Sequence, residues 1–263
     1  MKNNNLEPLV LQAIEGDKKA LNALIESIQK YIYNISIKIL FHPDEAKDAT
    51  QEILIKIVTH LSSFKNESNF TTWTYRIATN YLLNLIDKQK RQQLNFEIFA
   101  VDLSQGLNHN YLANDAEKKL LVEEVKIGCS TGMLQCLDAE SRITYILGEI
   151  LELDSNEGAY IQDISPEAYR KRLSRARTKI NEFTKGHCGL VNPENPCRCH
   201  KKVDDAVTKK RLNPNHLLFA SKELISSIAD VEDAADLIQS SPEYNLPNNK
   251  LNEIKRILEL NLY

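Results

Sequence analysis

Apolar residues recur every three or four positions through the first 90 residues, and this spacing predicts amphipathic helices. The first apolar stripe consists of Leu21, Leu24, Ile25, Ile28, Ile32, Ile35 and Ile39. It stops near His42 and Pro43, where a second helix begins, with an inner stripe of Ala46, Ala49, Ile53, Ile57 and Leu61. Thr71 or Thr72 can cap a third helix that runs to about Lys90. The three helices can bury one core, so we predict a helical domain over residues 1–91.

A second helical region follows a segment without periodicity. Residues 92–114 show no sustained period, and we interpret them as an extended linker, because a loop of that length is unusual inside a compact domain. Helical spacing returns at Asp115, which begins a predicted domain over residues 115–185. Within it, Ser165-Pro166-Glu167 is a strong start signal for a helix: a serine cap, a proline in the first position and an acid in the first turn.

Composition narrows the fold and the cellular setting. The 263 residues include only 8 Gly and 8 Pro, which leaves few tight turns for the many short strands of a sandwich or barrel, so we expect an all-α protein. No stretch of about 18 apolar residues is available to cross a bilayer. The N-terminus lacks the features of a secretion signal, and we therefore expect a cytoplasmic protein with no membrane partner.

Charge is segregated along the chain. The formal net charge is only −3, but six basic residues fall within 170–179 without an intervening acid. This segment follows a shorter helical stretch and a turn, which is the arrangement of a helix-turn-helix. The exposed positions of its second helix are predicted to be Arg170, Lys171, Ser174 and Arg175. The alternative is a solvated basic face, and the well-defined cap favours DNA binding.

A polar stripe on the third helix offers a second nucleic-acid surface. Trp73, Arg76, Asn80 and Asn84 recur at helical spacing. Amides pair with base edges, arginine holds phosphate, and aromatic rings stack on unstacked bases. On periodicity alone, however, a core tryptophan with solvated polar neighbours is the favoured interpretation.

Three blocks of this sequence together resemble the sigma-70 family of bacterial RNA polymerase sigma factors, of the compact extracytoplasmic-function (ECF) type that keeps only regions 2 and 4. DEAKDATQEILIKIVTHL is similar to regions 2.1–2.2, FTTWTYRIATNYLLNLID to regions 2.3–2.4, and DISPEAYRKRLSRARTKI to the recognition helix of region 4.2. The resemblance covers roughly residues 20–185 and implies a promoter-specificity subunit with no catalytic activity of its own. It departs at Glu157-Gly158-Ala159, where the family usually has Glu-Ile-Ala, and we expect that helix to be looser.

The resemblance also implies partners and site residues. The partners are core RNA polymerase, through its β′ clamp and β flap, and promoter DNA; an anti-sigma factor is a further partner that the family allows. The polymerase-facing residues would be Asp48, Gln51 and Glu52. The loop Phe64 to Phe70 and the following helix would open and read the −10 element with Phe70, Thr72, Trp73, Arg76, Asn80 and Asn84. The helix from Pro166 would read the −35 element with Arg170, Lys171, Ser174 and Arg175.

Residues 186–263 form an extension beyond this core. Cys188, Cys197, Cys199 and His200 lie in a loop rich in Pro and Gly, and three thiols with one imidazole favour zinc. The alternative is a set of unliganded thiols. Cys129 and Cys136 are predicted to be small core residues. Helices are predicted at about 217–239 and from Lys250, and we expect the extension to regulate the protein.

Two other functions are weighed against the sigma factor. One is a metal- or redox-responsive helix-turn-helix regulator that acts without polymerase, but it leaves the first domain without a purpose. The other is a metal-dependent hydrolase built on His42, Asp44, Glu45 and Asp48. Those residues lie at a helix start, where acids are favoured in any case.

Overall fold

The computed structural model describes residues 6–89, 94–112 and 115–220, together with Ile238, Tyr244 and Arg256. Over these residues the protein is all-α, as predicted, and has no β-strand. The chain forms two compact units. The first comprises residues 1–91, 151–170 and 243–263, and the second comprises residues 92–150 and 171–242.

The first unit begins with four helices: α1 (Glu7–Ile14), α2 (Lys18–Leu40), α3 (Pro43–Thr59) and α4 (Phe70–Gln89). The predicted stop of α2 and start of α3 at Pro43 are confirmed. The predicted cap of α4 at Thr71 or Thr72 is wrong. Asn69 takes that role, because its side-chain oxygen accepts a hydrogen bond from the backbone N–H of Thr72 at 2.7 Å.

The core of this unit surrounds α2, whose last ten residues are all buried. The predicted stripe is inside, with Leu24, Ile28 and Ile32 fully buried. Tyr31 and Thr74 form a polar pair in this core: their hydroxyl oxygens lie 3.0 Å apart, and burial raises the pKa of Tyr31. The core fixes one side of α4 and thereby determines which of its residues remain accessible.

Two more helical segments belong to the first unit. Helix α8 (Ser155–Gln162) is capped by Asp154 and ends at Asp163, which adopts the left-handed conformation at φ 56°. Helix α9 (Pro166–His187) then begins, and its predicted cap is confirmed, because the Ser165 hydroxyl accepts a hydrogen bond from the N–H of Ala168 at 3.2 Å. The chain passes into the second unit within α9.

The second unit corrects the predicted linker. Residues 92–114 are not extended throughout, because they contain helix α5 (Phe96–Ser104), which Asn95 caps. Phe96 and Phe99 place their rings 5.0 and 5.6 Å from that of Phe183 in α9. Apolar burial against another helix stabilises this nine-residue element, which is too short to show a clear period in the sequence.

Three further helices belong to the second unit: α6 (Ala116–Leu134), α7 (Ala139–Tyr145) and α10 (Val203–Thr208). Arg142 of α7 is buried, and its side chain donates hydrogen bonds to the carbonyls of Leu134, Gln135 and Leu137 at the end of α6 and just after it. These bonds satisfy carbonyls that a helix terminus leaves without partners. Burial lowers the pKa of Arg142 to about 10.

The predicted domain limits differ from this grouping. The predicted boundary after residue 91 falls where the first segment of the first unit ends. Residues 151–170, however, were predicted to belong to region 4 and are grouped with the first unit. Residues 217–220, the start of a predicted helix, are not helical. The rest of that helix and the predicted helix from Lys250 lie outside the described residues, except for Ile238 and Arg256.

Candidate nucleic-acid and polymerase interfaces

Helix α4 lines an open groove of about 700 Å³ with part of its predicted DNA-binding stripe. Trp73, Asn80 and Asn84 line this groove together. The lining continues with Lys56, His60, Ser63, Ile77, Tyr81, Leu85 and Lys88. Because residues three, four and seven apart share one helix face, the spacing of the stripe is sufficient to bring the tryptophan and both amides to the same groove.

The groove combines the chemical groups that an unpaired DNA strand needs. It offers the aromatic rings of Trp73 and Tyr81 for stacking, two exposed amides for base edges and two lysines for phosphate. Lys56 and His60 were missed in the sequence because Lys56 belongs to α3 and His60 caps the end of that helix, and both face α4 only after the two helices pack. In the sequence, the spacing of four residues between Lys56 and His60 indicated that they would share one helix face.

An aromatic cluster holds the beginning of α4 and the preceding loop. The rings of Phe64 and Phe70 lie 5.3 Å apart, and the ring of Trp73 lies 5.4 Å from Phe64 and 5.6 Å from Phe70. Phe70 is only 1% exposed. It therefore orients Trp73 from the core, and the structure does not bring it to the groove surface as the predicted DNA contact.

The remaining predicted −10 residues, Thr72 and Arg76, face another side of α4. Thr72 is buried, and its hydroxyl donates to the carboxylate of Glu157 in α8 at 3.1 Å. Arg76 donates to the carbonyl of Tyr160 at 2.9 Å and to the carboxylate of Asp163 at 2.8 Å. The predicted stripe is thus divided between an open groove and a helix contact.

The predicted polymerase-facing residues lie on the outer surface of α3. Asp48 and Glu52 are exposed, and Gln51 is half-buried between them. Tyr81 lines the groove and also senses the charges of this surface. Burial raises the pKa of Tyr81, and the negative charges of Glu52 and Asp48 raise it further. The ammonium of Lys56 lies 5.9 Å from the centre of the same ring.

The basic side chains of helix α9 fall into two groups, those that pair with acids of the second unit and those predicted to read the −35 element. Arg172 pairs with Glu140 at 2.7 Å, and Arg177 pairs with Glu149, so these two arginines connect elements within the second unit. The predicted −35 residues Arg170, Lys171, Ser174 and Arg175 are all exposed. The structure therefore leaves at the surface the four positions that the helical spacing singled out.

Gly158 has a packing role that the sequence did not reveal. A Cβ atom at this position would lie 2.2 Å from Cζ and 2.5 Å from the hydroxyl oxygen of Tyr169. Tyr169 is fully buried, so its ring cannot swing into solvent. The glycine therefore allows α8 to approach α9 closely, and this close packing contradicts the expectation of a looser helix.

The thiols of the extension lie near a fourth cysteine. Burial raises the pKa of Cys199 to about 12 and that of Cys197 to about 11. Burial also raises the pKa of Cys129 in α6, and the charges of Cys199, Cys197 and Cys188 add to this effect. Cys129, which was predicted to be a core residue, is half-buried, and its helix α6 packs against the segment Cys199–Lys202. Cys136 is buried as predicted.

A metal site is not preformed in the described part of the chain. It contains no group of three or more His, Cys, Asp or Glu side chains that could hold a metal ion. This holds for the predicted zinc ligands Cys188, Cys197, Cys199 and His200, and also for the acids around His42. The assignment of zinc to the extension stays a prediction.

None of the described helices is both long and apolar enough to cross a membrane.

Comparisons with known proteins agree with this geometry. A family model for sigma-70 region 2 matches residues 24–92, which hold α3, α4 and the groove between them. The ECF RNA polymerase sigma-E factor of Haemophilus influenzae is 30% identical over 177 residues, which cover 66% of this chain and 92% of that protein. The RNA polymerase sigma-H factor of Pseudomonas aeruginosa is 27% identical over 179 residues, covering 67% and 92%.

The protein therefore belongs to the sigma-70 family and is an RNA polymerase sigma factor of the ECF type. This membership favours the sigma factor over a helix-turn-helix regulator that acts without polymerase. A solved structure, the sigma factor RpoE in complex with the anti-sigma factor NepR from Bartonella quintana, matches 61% of this chain and 94% of its own, with 20% identity and a TM-score of 0.44.

Proposed function

We propose that this protein binds core RNA polymerase in the cytoplasm and directs it to promoters, where it reads the −35 element and opens the −10 element without catalytic activity of its own. The observation that carries the proposal is the groove in which Trp73, Asn80 and Asn84 converge beside Lys56 and Lys88. Opening DNA requires a surface that stabilises unstacked bases, and stacking contributes about 1–3 kcal/mol per base.

The exposed acids of α3 are proposed to contact the β′ clamp of the polymerase. Asp48 and Glu52 lie one helical turn apart, so their charges can engage one basic surface. Helix α9 is proposed to enter the major groove at −35 with Arg170, Lys171, Ser174 and Arg175. A partner of the anti-sigma type would act by competing for one of these surfaces.

The proposal is tested by assembly. Purified protein mixed with core polymerase should co-elute in size-exclusion chromatography, and the Asp48→Ala/Glu52→Ala variant should co-elute less. The control is Glu15→Gln at the end of α1, an exposed acid outside the proposed interface. Failure of the folded wild-type protein to bind core polymerase would contradict the proposal.

The zinc prediction becomes a separate proposal for the extension. We propose that Cys188, Cys197, Cys199 and His200 bind zinc, because three thiols and one imidazole are a donor set that zinc accepts. Binding would draw the sulfurs closer and displace thiol protons. Native mass spectrometry of protein purified with zinc should show one ion in wild type and in Cys136→Ser, and none in the Cys197→Ser/Cys199→Ser variant. Zinc-free wild type would contradict the proposal.

A further inference from the structure

Helix α8 occupies the side of α4 that carries Arg76. The two terminal nitrogens of this arginine donate to the carbonyl of Tyr160 and the carboxylate of Asp163, at 2.9 and 2.8 Å. The guanidinium carbon also lies 4.7 Å from the centre of the Tyr160 ring. One backbone carbonyl, one carboxylate and one aromatic face thus hold a side chain that is predicted to bind DNA.

A second carboxylate of α8 holds the start of α4. One oxygen of Glu157 accepts hydrogen bonds from the side chain of Asn69 at 3.0 Å and from the hydroxyl of Thr72 at 3.1 Å. Asn69 belongs to the loop between Phe64 and Phe70, and Thr72 is only 3% exposed. The donors on this side of the predicted −10 surface are therefore engaged by acids of the same chain.

We propose that Glu157, Tyr160 and Asp163 form an autoinhibitory latch, which covers the Arg76 side of the −10 surface until promoter DNA displaces it. The inference rests on the proposed function, because it requires that this side of α4 binds DNA. Carboxylate oxygens accept the same hydrogen bonds as phosphate oxygens, so the latch and a DNA backbone compete for the same donors. The groove with Trp73 and Asn80 stays open, and only half of the surface is blocked.

The latch is weak enough to open during initiation. The Asp163 side chain is 80% exposed and that of Arg76 is 31% exposed, and ion pairs in such surroundings are screened by solvent. Loss of a pair of this kind changes an equilibrium by about two- to fivefold. Apparent DNA affinity falls by the fraction of molecules that are open, so release of the latch should strengthen binding.

The natural reporter is Trp73, because it is the single tryptophan of the chain and lines the groove. Quenching of its fluorescence by a mixed-sequence single strand of about 12 nucleotides, a length within the site sizes of such proteins, measures binding to the free protein. Asp163→Asn removes the charge and keeps a residue that tolerates φ 56°. The second variant is Glu157→Ala/Asp163→Asn, and Glu15→Gln controls for the loss of one acidic charge.

Asp163→Asn should bind the strand about two- to fivefold more tightly than wild type, and the double variant about tenfold more tightly. Glu15→Gln should bind as wild type does. Arg76→Ala should weaken binding more in the double variant than in the wild-type background, because only the open form presents Arg76.

Two results would overturn the latch and leave the proposed function intact. One is equal affinity of the double variant and wild type. The other is an equal effect of Arg76→Ala in both backgrounds, which would mean that Arg76 is already accessible. If Arg76→Ala had no effect in either background or in transcription by the holoenzyme, both the latch and the −10 role of this residue would be wrong.

Discussion

Replacing Gly158 with alanine should destabilise the protein, although the same change stabilises most helices. Alanine favours a helix over glycine by about 0.5–1 kcal/mol. At this position, however, the new methyl group would lie 2.2 Å from the buried ring of Tyr169. Overpacking of this kind costs about 1–3 kcal/mol, so we expect a net loss of roughly 1–2 kcal/mol in the free energy of unfolding.

Urea denaturation followed by Trp73 fluorescence measures this loss, because Trp73 and Gly158 belong to the same unit. The matched control is Gly128→Ala in α6, where an added Cβ meets nothing within 4 Å. Circular dichroism should show that this variant is more stable by up to about 1 kcal/mol. Stabilisation by Gly158→Ala to a similar degree would refute the close approach of α8 to α9.

Three further predictions concern the sites. Asn80→Ala should impair promoter opening, and permanganate footprints as strong as those of wild type would remove Asn80 from the −10 assignment. Arg175→Ala should weaken promoter binding and lower the log–log salt slope by roughly one unit in a filter-binding series, and an unchanged slope would exclude a phosphate contact. Glu124 is buried and accepts hydrogen bonds from the backbone N–H groups of residues 218–220. Glu124→Ala should therefore speed hydrogen exchange of these three N–H groups at least tenfold. Unchanged exchange would contradict this anchoring role.

Periodicity predicted the parts of the fold that depend on long amphipathic helices. The end of α2, the start of α3 and the Ser165 cap of α9 follow from apolar spacing, proline and capping chemistry. Helix α5 was missed because two aromatic residues, Phe96 and Phe99, stabilise it by packing against Phe183. Such a contact joins residues more than 80 positions apart, and no local pattern records it.

The candidate site also combines features that local spacing predicted with features that depend on tertiary packing. The spacing of Trp73, Asn80 and Asn84 on one helix predicted that they would share a face, and they line one groove. The contributions of Lys56 and His60 depend on how α3 packs against α4. The contact between Arg76 and Asp163 joins segments 87 residues apart, and the role of Gly158 depends on a tyrosine in the next helix. These features arise from tertiary packing.

The central claim is that this chain gives core RNA polymerase its promoter selectivity. Run-off transcription with purified core polymerase and a library of genomic fragments tests it most directly. We expect the protein to yield discrete transcripts that core polymerase alone does not make, and we expect Asn80→Ala to reduce them while Glu15→Gln does not. A folded protein that binds core polymerase but yields no specific transcript from any fragment would show that the chain does not confer promoter selectivity.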